Sequence, residues 1–230
     1  MLPMKAPTSG LNQSEIFLQA EGDGYYDRNK SALEGKEQLY CEDLLCRELA
    51  PFKTDVEQIL EIGCASGLKV QYLCELFGAA GNGVDPSSKA VAEGNQRLAG
   101  AGIQNIALKV STANVLPFSE HQFDLVYFGF CLYLADRADL FGAIAEADRV
   151  LKPGGFLAIV DFDPAQRHKR RYHHKEGLFS YKQQYANLFT ASGHYYLMAK
   201  SSLSHSGHHF SKDSDERVSL CVLYKEPEAY

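Results

Sequence analysis

From residue 56 to residue 160, short apolar runs alternate with stretches of helical periodicity, and few folds accommodate that rhythm. Val56–Ile62, Gly81–Val84, Ile106–Val110, Phe123–Phe130 and Phe156–Val160 read as strands, most of them apolar almost throughout. Between them, Gly67–Phe77, Ser87–Ala99 and Asp136–Leu151 read as helices. In the last of these Leu140, Ile144, Ala147 and Leu151 recur at helical spacing, and Lys152-Pro-Gly-Gly155 stops it. Strands without polar alternation are buried on both sides, so the pattern predicts an α/β fold, a mostly parallel sheet with helices on both faces. Ligands of such sheets bind beyond the carboxyl ends of the strands, where the strand order reverses.

The flanks follow other patterns. Residues 1–14, rich in Pro, Ser, Thr and Asn, predict a flexible arm. Gly35–Phe52 predicts a helix whose buried face carries Leu39, Leu44, Leu45 and Leu49, with Pro51 at its end. Tyr195–Lys200 and Arg217–Tyr224 predict an antiparallel hairpin that finishes the sheet. The expected organisation is an N-terminal segment over 1–34 and one domain over 35–230. That domain divides into the alternating core (57–161), an insertion (162–192) and the terminal hairpin (193–226).

A net charge of -6 disfavours nucleic acid and anionic membrane as partners. No apolar run approaches the roughly 20 residues that span a bilayer, and the first residues lack the apolar core of a secretory signal. Cys41, Cys46, Cys64, Cys74, Cys131 and Cys221 show no CxxC spacing, so reduced packing residues are expected rather than disulfides or metal ligands. These features predict a cytoplasmic protein that acts on small molecules and carries no metal. They leave its oligomeric state open.

Leu60-Glu-Ile-Gly-Cys-Ala-Ser-Gly-Leu-Lys69 ends an apolar strand with an acid and a glycine turn. Gly63 and Gly67 allow a sharp turn and close approach of a ligand. Asp85, 22 residues beyond Gly63, closes the next strand at the spacing that lets a carboxylate meet a ribose hydroxyl pair. The glycines alone fit a nicotinamide cofactor, another nucleoside cofactor or a plain βα turn.

Three further segments narrow the choice. Together with Glu61-Ile-Gly-Cys-Ala-Ser-Gly67, the stretches Gly83-Val-Asp-Pro-Ser87, Ala113-Asn-Val-Leu-Pro-Phe118 and Leu151-Lys-Pro-Gly-Gly-Phe156 occur in the order found in class I S-adenosylmethionine-dependent methyltransferases, which the chain resembles over residues 57–161. Two departures stand out: Ala65 replaces the middle glycine, and Thr112 stands where many members have an acid. The resemblance implies a Rossmann-like class I methyltransferase fold, a seven-stranded sheet with only its last strand antiparallel. It implies S-adenosyl-L-methionine as cofactor, with Glu61, Gly63, Cys64, Ala65 and Gly67 around the methionine part and Asp85 on the ribose. Pro86, Ser87, Ala113 and Asn114 would border the adenine, with Phe128 beneath the cofactor.

Acceptor identity then falls to the flanks. The resemblance implies that Glu21-Gly-Asp-Gly-Tyr-Tyr-Asp-Arg-Asn-Lys30 lies over the cofactor as a lid, with Tyr25 or Tyr26 on the sulfonium, Arg28 on the cofactor's carboxylate and Tyr26 also a candidate for the acceptor; the competing reading is a solvated turn with one packed tyrosine. His173, His174, Asp161 and Asp163 are candidate bases. Arg170, Arg171, Tyr181 and Lys182 belong to a basic, aromatic stretch that suits an anionic or sugar-like acceptor, pointing to O-methylation; the bland reading is a solvated helix face. His205, His208 and His209 are expected in a polar hairpin loop. The competing readings are a nicotinamide-dependent oxidoreductase and a catalytically silent cofactor-binding module.

Overall fold

The computed structural model describes residues 12–33 and 39–228. The chain opens as a helical segment: α1 (Gln13–Ile16), a π-helical turn (Phe17–Glu21) and α2 (Gly22–Leu33). Asn12 and Glu15 form a capping box at its start. Glu21–Lys30, expected as a loop-like lid, is thus helical, and most of the expected arm lies outside the described residues. The helix predicted over Gly35–Phe52 shortens to α3 (Tyr40–Glu48), because Pro51 turns the chain into a 3-10 segment, Ala50–Asp55. Residues 34–38 lie outside the description.

The alternating core follows: β1 (Gln58–Ile62), α4 (Leu68–Phe77), β2 (Ala80–Asp85), α5 (Ser88–Gly100), β3 (Ile106–Val110), β4 (Phe123–Gly129), α6 (Leu140–Val150) and β5 (Leu151–Phe162). Val70, Leu73, Cys74 and Phe77 bury one face of α4, which ends on Gly78 in the left-handed region. Ser87 caps α5 by accepting from the amide of Ala90 at 3.0 Å. The Lys152–Gly155 turn ends α6 as expected, but its residues join β5, which pairs with β4 from Leu151 onward.

The sheet order is β3-β2-β1-β4-β5-β9-β8, where β8 is Tyr195–Ser204 and β9 is Arg217–Lys225. Six strands run parallel and β9 alone is antiparallel, as the sequence implied. Strand order reverses between β1 and β4, so the ligand crevice lies over the end of β1. Two apolar layers flank the sheet. The fully buried Phe123, Tyr127 and Phe128 each stabilise the fold by about 1.5–3 kcal/mol through removal from water.

The insertion departs from expectation. His168–Arg171 and Phe179–Lys182 pair as a separate antiparallel hairpin, β6 and β7, and a short α7 (Ala186–Thr190) follows. Phe179 and Tyr181 on β7, with Lys169 of β6 lying over their rings, favour a two-stranded ribbon over a solvated helix face.

Candidate functional site

Above the carboxyl ends of β1, β2 and β4 opens a cavity of about 700 Å³. That lies within the roughly 300–1,000 Å³ of small-molecule sites. Its floor is the β1–α4 turn. The amides of Gly63 and Cys64 both donate to the Val84 carbonyl, at 2.9 and 3.0 Å, pinning the turn to β2. Gly63 is left-handed, and a side chain there would lie 2.5 Å from Cβ of Cys131. Ala65 is also left-handed (φ +46°) and lines the cavity. Such a backbone costs a non-glycine residue about 1–2 kcal/mol. The Ala65 amide thereby points at Asp85 and donates to Oδ2 at 2.8 Å, while the Ser87 amide donates to Oδ1 at 2.8 Å. Each oxygen of Asp85 keeps a lone pair for a further donor, which suits a vicinal diol. Burial raises the Asp85 carboxyl to about 6 despite those two bonds.

The helical segment closes this end. Asp23 accepts from the Ser87 hydroxyl (2.7 Å), the Ser88 hydroxyl (3.2 Å) and the Lys89 amide (3.0 Å) at the start of α5. The Tyr26 hydroxyl (2.9 Å) and Lys30 (2.6 Å) reach Glu93. Gly22 permits the contact, since a Cβ there would stand 2.9 Å from the Ser87 nitrogen. On the far side buried Gln13 donates to the carbonyls of Leu134 (2.5 Å) and Phe179 (2.8 Å) and accepts from the Phe179 amide, strapping the segment to β7.

Of the residues assigned a cofactor, acceptor or base role from the sequence, Gly63, Ala65, Asp85, Pro86, Ala113, Tyr25, Tyr26 and His174 line the cavity, and the others do not. Thr112, His205 and His208, given no such role, line it too. Glu61 is buried beneath the turn, accepts from the Val70 amide at 2.8 Å, and is raised to about 8 by burial against the opposing charge of Lys69. Cys64 packs on Gly83 and Gly67 on Leu108. The Ser87 hydroxyl is consumed by α5 and Asp23. Asn114 donates to Asp139 (3.1 Å) at the start of α6. Phe128 is buried in the apolar layer against Phe189, and Phe130, just past the end of β4 in the left-handed region (φ +69°), supplies the cavity's aromatic instead. Arg28 pairs with buried Glu21 and donates to the Tyr172 hydroxyl at 3.0 Å, so it is held outside the wall.

The acceptor candidates also scatter. Asp161, raised to about 7 by burial, accepts from the Phe162 amide (2.7 Å) and the Tyr133 amide (3.2 Å), holding the turn after β4. Asp163 pairs with Lys200 at 2.7 Å. His173 is exposed on the hairpin turn. Arg170 pairs with Asp215, while Arg171 is exposed. Lys169 lies over the rings of Phe179 (3.5 Å) and Tyr181 (5.5 Å). Lys182 donates to the Asp215 carbonyl at 2.8 Å and sits over Phe162. The basic stretch therefore stabilises the hairpin and its seam with β9, and gives the cavity no anion socket.

The wall opposite the floor is aromatic. Tyr25 and Tyr133 meet hydroxyl to hydroxyl at 3.2 Å, and desolvation raises both phenols, so both stay protonated near neutrality. Phe130 packs at a tilt against Tyr133 (5.1 Å) and His205 (5.6 Å); Tyr172 and His174 meet edge-on at 5.3 Å; Tyr40 and His208 lie parallel at 4.1 Å. The β8–β9 loop is therefore part of the site, as its polar composition did not suggest. Among the described residues no group of three or more potential ligands could hold a metal ion, and no helix is long and apolar enough to cross a membrane.

Residues 59–155 match the model of a methyltransferase domain family. This core is a methyltransferase domain. The chain is 29% identical over 147 residues to a demethylmenaquinone methyltransferase of Tropheryma whipplei, covering 64% of this chain and 56% of that protein. It is 32% identical over 143 residues to a ubiquinone/menaquinone biosynthesis C-methyltransferase of Desulfotalea psychrophila, covering 61% and 55%. The chain thus spans about half the length of these curated relatives. In fold it is similar to the 1,6-didemethyltoxoflavin-N1-methyltransferase of Burkholderia thailandensis, with TM-score 0.75 and 14% identity over 97% of this chain and 94% of that one. That protein was solved with 1,6-didemethyltoxoflavin and S-adenosylhomocysteine bound. Family, relatives and fold together bear out the resemblance to class I S-adenosylmethionine-dependent methyltransferases, with S-adenosyl-L-methionine rather than a nicotinamide as the domain's cofactor. The donor set fits it: a free-sided carboxylate on β2, a glycine turn beneath, and an aromatic wall suited to a sulfonium.

Proposed function

We propose that this protein is an S-adenosylmethionine-dependent methyltransferase whose acceptor is a small, planar, electron-rich ring, methylated at a ring carbon. The observation that carries the acceptor class is that Tyr25, Phe130, Tyr133, Tyr172, His174 and His205 all line the cavity while every arginine stays out of it. Flat faces of this kind stack on rings and desolvate them, and they offer a phosphate no charged donor. The names of the quinone-methylating relatives and of the toxoflavin enzyme support the same class. An anionic or sugar-like acceptor, expected from the basic stretch, finds no such support in the cavity.

When bound, the cofactor supplies a methyl group on a positively charged sulfur, an electrophile that needs alignment more than activation. Asp85 and the turn hold its nucleoside, and α2, pinned to α5 through Asp23 and Glu93, closes over it and excludes water. The protonated phenols of Tyr25 and Tyr133 donate hydrogen bonds to a ring oxygen of the acceptor. His174 and His205, at the cavity rim, are placed to accept the proton of a ring hydroxyl. Incubation of the protein with labelled cofactor and two acceptor panels tests the reading: quinols and fused heteroaromatic rings against sugars and phosphorylated metabolites. Label is expected in the first panel; transfer confined to the second overturns it.

A further inference from the structure

Lys69 is the one lysine or arginine among the described residues of the cavity wall. It stands at the start of α4, with its side chain 17% exposed and its ammonium 3.6 Å from Oε1 of Glu42. Glu42, on α3, is wholly buried and absent from the wall. Its Oε1 also accepts from the Tyr127 hydroxyl at 2.6 Å, which fixes the carboxylate, while Oε2 has no hydrogen-bond partner among the described residues. Burial weakens the charged form of Lys69, yet Glu42 and Glu61 outweigh this and raise it above its ordinary value. A cation is therefore held at the cavity edge by machinery that does not itself touch the cavity.

Position gives this cation its use. The nucleoside end of the cavity is marked by Asp85 and Pro86 on β2. In the strand order β2-β1-β4, a cofactor running from there across Gly63 reaches the end of β4 and the start of α4, where Gly129, Cys41 and Lys69 line the wall. The group at that end is an α-amino acid, whose carboxylate needs a cationic donor. Arg28, the sequence's candidate, is held by Glu21 and Tyr172 instead.

We propose that Lys69 binds the amino-acid carboxylate of the cofactor, and that Glu42, anchored by Tyr127, is its positioning residue. The inference rests on the methyltransferase reading, and one calorimetric titration separates the two. S-adenosylhomocysteine carries the amino-acid end; 5′-methylthioadenosine keeps the nucleoside and lacks it. Wild-type protein is expected to bind the first more tightly. Because Lys69→Met alone strands a buried carboxylate, the variant used is Glu42→Gln with Lys69→Met. It is expected to lose about 10–100-fold in affinity for S-adenosylhomocysteine, the worth of a charge-assisted hydrogen bond, while methylthioadenosine changes less than about 3-fold. Glu42→Gln alone, which keeps volume and a partner for Tyr127, tests the same point in a second background. It should narrow the ratio of the two affinities, a change that loosened packing does not produce.

Equal loss for both ligands, or no loss, overturns the role of Lys69 and leaves the cofactor reading standing. Wild type that binds both ligands equally does the same. Wild type that binds neither overturns the cofactor reading itself.

Discussion

The two halves of the cavity are built by different means. The half we assign to the cofactor is a backbone device: successive turns after β1 and β2 aim the amides of Ala65 and Ser87 at Asp85, and residues within some 25 positions of one another make it. The half we assign to the acceptor is a side-chain device. Phe17 and Tyr25, Tyr40, Phe130 and Tyr133, Tyr172 and His174, and His205 and His208 arrive from five separate segments. A backbone device tolerates few sequences and leaves a fingerprint. An aromatic wall accepts many sequences, so substrate preference can drift while the core stays fixed.

Substitutions can break this division, and the largest effect belongs to the cofactor half. Asp85→Ala removes the acceptor of both amides and of the ribose hydroxyls, and should weaken S-adenosylhomocysteine at least about 100-fold by calorimetry. Retained affinity would remove Asp85 from the site. On the other side, Tyr133→Phe should lower kcat/KM for a ring acceptor about 10-fold, with cofactor affinity changed less than about 2-fold. A matched loss of cofactor binding would show that the halves are not separate.

Acidity probes the cofactor half again. Asp85 is raised to about 6, so it loses its charge as the pH falls through 6 and should bind S-adenosylhomocysteine several-fold more weakly at pH 5 than at pH 7.5. Stability carries the opposite sign. Glu61, at about 8 when folded against 4.5 ordinarily, keeps a proton that the unfolded chain has shed across that window. Its contribution is complete below pH 4.5 and fades as pH rises through 8, with a slope of at most about 1.4 kcal/mol per pH unit. Glu61→Gln should flatten that slope in denaturant titrations between pH 5 and 8. The smallest effect is expected outside both halves: Arg170→Ala with Arg171→Ala should change kcat/KM for a ring acceptor less than about 2-fold. A large loss would return the basic stretch to acceptor binding.

Much of the core was legible because its signals are local. Alternating apolar runs marked β1 to β5, and the spacing from Gly63 to Asp85 marked two turns that the fold joins through the Ala65 amide. Ala65 looked like a flaw in the first turn, and its left-handed backbone shows that the turn geometry persists without glycine. Legibility failed where a side chain's partner lies far along the chain. Arg28 was drawn away by Glu21 and Tyr172, the basic stretch by Asp215 and nearby rings, and Asp161 by the turn after β4. Gln13, Glu42 and Lys69 carried no signal at all, since a lone polar residue on a helix reads as solvated until its burial is known.

By itself the sequence determined the parallel sheet, its antiparallel strand and the glycine turn after β1, because strand burial and turn geometry are written in residues a few positions apart. Only the tertiary structure decided which charges face the cavity. Burial makes an unpaired charge costly, so Arg28, Asp161 and Asp163 go to whichever partner the fold brings near, and here that left the cavity to aromatic rings, Asp85 and one lysine.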